Sequence, residues 1–140
     1  MRRSNPSQGF SLVELLLVLA IIGIIAGIAI PTYTGQRRRA AVVGDAMANC
    51  QGLRMALEER RATTGTYGAP GTYEWKADGS ATSGPTLLPG FQPQGASKMN
   101  YRLVIPAGGV TYTLTAIDPT RGNVTAYQTN QDGKELARLK

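Results

Sequence analysis

The apolar positions of this chain fall into three patterns. From residue 10 to residue 30 nearly every position is apolar, and the one formal charge is Glu14. A helix of these 21 residues is about 31 Å long, which matches the hydrocarbon core of a bilayer. Over 36–61 the apolar residues thin to a stripe, with Val43, Ala46, Met47, Cys50, Leu53 and Leu57 at helical spacing and Arg38, Arg39, Asp45, Glu58, Glu59 and Arg61 mostly off it. That predicts an amphipathic helix with one buried face. From residue 100 the period shortens to two. Residues 100–105 alternate, 110–117 place Val110, Tyr112, Leu114 and Ala116 on one face, 123–128 read as a third strand, and 135–139 add a short edge.

Between helix and strands, residues 63–97 hold seven glycines and four prolines (Pro70, Pro85, Pro89, Pro93), a composition hostile to a long helix or a central strand. The expectation is an irregular connection with one short strand near 72–76. Tyr73 and Trp75 there serve either as contacts with another chain or as anchors of the loop on its own domain. The whole predicts an α+β fold, in which a long N-terminal helix, apolar then amphipathic, packs on an antiparallel sheet of three to four strands. The segments are 10–31, 32–62, 63–97 and 98–140, after a short polar stretch at 1–9.

Glu14 is the anomaly in the first segment. A carboxylate within an apolar span costs on the order of 3 kcal/mol, so it calls for a positive partner. The segment is also a poor removable signal sequence: its apolar part is too long, its small residue Gly9 precedes it, and Pro31 is followed by no small-x-small site.

The run GFSLVELL, residues 9–16, followed by an apolar stretch, resembles the leader junction and first helix of type IV pilins and type II secretion pseudopilins. The resemblance covers about the first 40 residues. It implies that residues 1–9 are a leader removed by a membrane-embedded prepilin peptidase between Gly9 and Phe10, and that the new Phe10 amine is methylated. Glu14 matches the family's glutamate and Pro31 the proline after the first helical segment. In that setting Glu14 of one subunit pairs with the Phe10 amine of another inside an apolar filament core. Such a pair adds little net stability, but a wrong stagger leaves two charges unpaired, so its role is register. The chain's own amine stands one helical turn from Glu14, so pairing within a chain is also open.

Gly23 and Gly27 form a G-x-x-x-G pair, which serves close helix packing or simply reflects the small residues usual in membrane helices. Pro31 removes a donor and restricts Ile30, predicting a kink, or a point of local melting in an assembled fibre. Arg37, Arg38 and Arg39 meet lipid headgroups, acidic groups on a neighbouring subunit, or solvent. Their charge opposes the orientation that Arg2 and Arg3 favour, with the N-terminus in the cytoplasm.

Composition narrows the chemistry. The formal charge is +6 with no histidine; loss of the leader would leave 13 basic and 9 acidic side chains. This permits contact with nucleic acid without arguing for it. Glu58 and Glu59 are adjacent, Asp118 and Asp132 sit in predicted turns, and no phosphate loop, nucleophile elbow or acidic calcium cluster is legible. The expectation is no enzyme, no cofactor and no metal. The single cysteine, Cys50, excludes the intrachain disulfide common in pilins and leaves strand pairing to hold the C-terminal region; on the apolar stripe it reads as a buried, inert thiol.

The reading is therefore a pilin that forms a helical homo-oligomer through its first helix. Its implied partners are prepilin peptidase, the inner membrane and its pilus assembly machinery. It would cross the inner membrane once before assembly and then join an extracellular pilus, whose roles in twitching motility, adhesion or DNA uptake belong to the fibre. The alternatives are a pseudopilin in a periplasmic filament, a minor pilin, and a monomeric membrane-anchored binding domain.

Overall fold

The computed structural model describes residues 9–78, 80 and 82–139. The chain divides into two compact units between Arg37 and Arg38. One α-helix, α1 (Leu12–Thr64, 53 residues), supplies the first unit and one layer of the second.

In the first unit α1 begins with Leu15 N donating to Ser11 O at 3.2 Å. Pro31 lies inside it. The proline ring withholds a hydrogen bond from the carbonyl of Gly27. Just beyond, Thr32 Oγ1 donates to Ile28 O at 3.1 Å and Thr34 Oγ1 to Pro31 O at 3.0 Å, which engages neighbouring carbonyls around the missing bond.

The second unit is α1 from Arg38 onward, packed on a five-stranded antiparallel sheet of order β1-β2-β3-β4-β5. The strands are β1 (Gly71–Trp75), β2 (Asn100–Ile105), β3 (Thr113–Asp118), β4 (Val124–Asn130) and β5 (Glu135–Arg138). The sheet thus exceeds the expected three to four strands. The short strand foreseen near 72–76 is β1, and it joins the same sheet through Thr72↔Val104 and Trp75↔Tyr101.

The core forms where the helical and strand periods meet. Val42, Ala46, Cys50, Leu53 and Leu57 of α1 pack with Tyr101, Leu103 and Ile105 of β2, with Tyr112, and with Leu114 and Ala116 of β3. Fully burying a side chain such as Leu53 or Leu57 contributes about 1.5–3 kcal/mol. Val110 departs from the expected face: it is half-exposed and precedes β3, because the Pro106–Gly109 turn is followed by unpaired chain up to Tyr112. In β4 the register shifts so that Ala116 faces Tyr127 while Ile117 faces Thr125, leaving Ala126 as a bulge. The extra residue lets two successive side chains, Ala126 and Tyr127, both be buried.

The Gly/Pro-rich connection is held to this frame. Trp75 is buried and meets Phe91 edge to face at 5.7 Å, so it anchors its own domain. A short helix, α2 (Gly84–Leu87), follows Ser83, whose hydroxyl donates to Thr72 O at 3.1 Å and accepts from Glu74 N at 3.2 Å. One side chain thereby satisfies two backbone groups on the outer edge of β1. At the C-terminus β5 pairs with β4, and Leu139 N donates to Ala126 O at 3.0 Å. Strand pairing does hold the region that lacks a disulfide.

Candidate functional site: the uncovered apolar helix

The first unit leaves its apolar surface open. Phe10 is 84% exposed, and the large side chains Leu12, Val13, Leu15, Leu16, Leu17, Ile24, Ile28 and Ile30 are all more than half exposed. A contiguous surface of this size exceeds what soluble monomers expose and marks contact with lipid or protein. The helix is long and apolar enough to cross a membrane.

At its start, Ser11 accepts the first helical bond and Glu14 follows three residues later, in the first turn. This is the S-x-x-E spacing of a capping box. A carboxylate here also faces the positive end of the helix dipole. The chemistry of the site is thus an anionic group at a helix N-terminus, four residues after Phe10, on an otherwise apolar rod. The residues predicted over 1–9 as a leader lie, apart from Gly9, outside the described residues.

Gly23 and Gly27 stand one turn apart on α1, and a methyl group added at either would meet nothing within 4 Å. The chain's own packing therefore places no demand for glycine there. Gly84 differs: an added methyl would lie 2.3 Å from the Trp75 ring.

Other residues singled out in the sequence lie elsewhere. Cys50 is buried, and burial pushes its thiol pKa up to about 12, so it is held as an unreactive thiol. Tyr73 is half-buried and donates to Ala69 O at 3.0 Å. Arg37, Arg38 and Arg39 are exposed. Among the described residues no group of three acidic or cysteine side chains is placed to hold a metal ion.

The family model for the prokaryotic N-terminal methylation motif matches residues 4–30, the stretch that contains the glycine-aromatic junction, Glu14 and the apolar helix. This chain carries the prokaryotic N-terminal methylation motif. A fimbrial protein of Moraxella nonliquefaciens is 42% identical over 57 residues, 41% of this chain and 36% of that protein. The type IV major pilin protein PilE of Neisseria gonorrhoeae is 34% identical over 77 residues, 55% of this chain and 46% of its own length. The fimbrial protein EcpC of Eikenella corrodens is 29% identical over 130 residues, 93% of this chain and 72% of that protein. The matched part spans less than half the length of the first two relatives. No solved structure gives a significant match. The methylation motif coincides with the segment whose apolar side chains the fold leaves bare, while the sheet supplies a separate core of its own.

Proposed function

We propose that this chain is a structural subunit of a type IV pilus. It is cut between Gly9 and Phe10 by prepilin peptidase, methylated at Phe10, and held in the inner membrane by residues 10–31 until the assembly machinery draws it into a fibre. The observation that carries this reading is the bare apolar helix joined to a domain that buries its own core. Such a helix is stable in lipid before assembly and among the same helices of other copies afterwards. Gly23 and Gly27 let neighbouring helices approach closely. The sheet and the connection over 63–97 form the outer surface of the fibre. The role is structural, with no catalytic step.

Glu14 sets the stagger. When neighbouring helices are in register, its carboxylate meets the Phe10 amine of another copy; out of register, both charges are buried without a partner, a penalty of several kcal/mol. The test is Glu14→Ala. Protein recovered in sheared fibres should fall at least tenfold while the amount in the membrane fraction is unchanged. A normal fibre yield would contradict the register role.

A further inference from the structure

Beyond the apolar helix, one hollow in the second unit is built from cationic side chains far apart in sequence. Arg38 of α1 and Lys98 of the chain before β2 line it together with Ala41, Ser97, Asp118 and Thr120, around a volume of about 390 Å³. Arg38 and Lys98 are both exposed. The carboxylate in the hollow is already engaged: Asp118 Oδ1 accepts from Thr120 N at 2.9 Å and from Thr120 Oγ1 at 2.6 Å, and Arg121 Nε lies 3.9 Å from Asp118 Oδ2. Arg121 offsets the charge of Asp118, so Arg38 and Lys98 leave the hollow net positive.

We infer that this hollow receives the phosphate of an anionic phospholipid headgroup while the subunit is anchored in the membrane. The inference rests on the proposed anchor. Only residues 31–37 separate Ile30, the last residue of the apolar run, from Arg38. Chain length alone keeps Arg38 within about 28 Å of the end of that run. Tyr33, 65% exposed, falls in between, the position where tyrosine settles at membrane interfaces. No acidic residue lies between Glu14 and Asp45, whereas Arg37, Arg38 and Arg39 follow one another. In the proposed orientation these cations sit on the translocated side, against the usual charge bias. An attraction to lipid phosphate on that side offsets this bias, and a phosphodiester of single negative charge complements Arg38 and Lys98.

The experiment uses the full chain reconstituted in phosphatidylcholine bilayers with trace spin-labelled phosphatidylglycerol or phosphatidylcholine. Extraction with alkaline carbonate reports separately on the anchor. The expected result is resistance to extraction and a preference for phosphatidylglycerol of roughly fivefold or more, lost in the Arg38→Gln/Lys98→Gln variant, whose changes are at exposed positions. Equal association of the two lipids with the wild-type chain, or a preference unchanged in the variant, would overturn the inference while leaving the anchor intact. Release of the preference by millimolar inorganic phosphate would make this a site for soluble anions and overturn it as a lipid site. Extraction of the wild-type chain by carbonate would overturn the anchor and the inference together.

Discussion

Asn49 and Gln94 are joined by a reciprocal pair of hydrogen bonds: Asn49 Nδ2 donates to Gln94 O at 2.6 Å, and Gln94 N donates to Asn49 Oδ1 at 2.7 Å. The amide thus mimics one rung of a β-ladder between α1 and the connection that leads to β2. Asn49 Nδ2 also donates to Asp45 O at 2.9 Å, and Asp45 Oδ2 accepts from Ser97 N at 2.9 Å, so adjacent turns of α1 grip residues 94 and 97. Gly95 between them has φ +105, and an added methyl would lie 2.8 Å from the Asp45 carboxylate. The close approach and the left-handed backbone both require glycine there.

Removing that clamp leaves Gln94 N and O without their partner at a part-buried position. Asn49→Ala should destabilise the second unit by about 2–3 kcal/mol. It should also make the connection over 76–99 a preferred site of limited proteolysis, read by the sizes of the fragments in detergent. A cleavage pattern and unfolding midpoint equal to wild type would show that the clamp contributes nothing.

The contact of Gly84 with Trp75 can be followed optically, because Trp75 is the chain's single tryptophan. Gly84→Ala must displace either the indole or α2, at a cost of about 1–3 kcal/mol. The emission of Trp75, buried in the wild type, should shift to the red as the ring gains water. Unchanged emission and stability would contradict the packing described for β1 and α2.

Burial raises the Cys50 thiol from about 9 in the open chain to about 12 in the fold. Burial likewise raises Tyr112 from 10 to about 12, and Tyr101 shifts in the same direction. Each group keeps its proton in the folded state at pH values where the unfolded chain has lost it. Stability conferred by these groups is therefore complete below pH 9 and is lost progressively as the pH rises from about 9 to 12. Cys50→Ala should flatten the part of the decline that begins near pH 9 in urea titrations. At pH 8 the native thiol should resist a disulfide reagent that labels the unfolded chain rapidly. Rapid labelling of the native chain would contradict its burial.

The ion pair between Arg102 Nε and Glu74 Oε1, 2.7 Å apart on the outer face of the sheet, should matter little. Both side chains are substantially solvated, and such pairs contribute between nothing and about 1 kcal/mol. Glu74→Gln should move the unfolding midpoint by no more than the equivalent of about 0.5 kcal/mol. A loss of several kcal/mol would mean that β1 depends on this pair rather than on Trp75.

Features governed by a single local period were readable from the sequence. The stripe from Val43 to Leu57 is buried as its spacing demands, apart from half-buried Met47, and Tyr112, Leu114 and Ala116 alternate into the core. Features that depend on distant partners were not. The short strand near 72–76 was expected, but not its place beside β2 in a five-stranded sheet; Val110 continues an alternating pattern yet lies outside β3. The bulge at Ala126 leaves no local signature. At the candidate site, the junction of Gly9 and Phe10 with Glu14 is legible because its residues are neighbours. The S-x-x-E relation of Ser11 to Glu14 was equally local and went unread. Arg38 and Lys98 are 60 positions apart, and only the packing of α1 against the chain before β2 brings them to one hollow.

The central claim, that this chain is processed and then built into a fibre through its N-terminal helix, is tested most directly by mass spectrometry of the N-terminus in two fractions, material sheared from cells and the membranes left behind. The account predicts abundant sheared protein beginning at methylated Phe10. An intact Met1–Gly9 leader in both fractions would contradict it and leave a plain membrane-anchored domain.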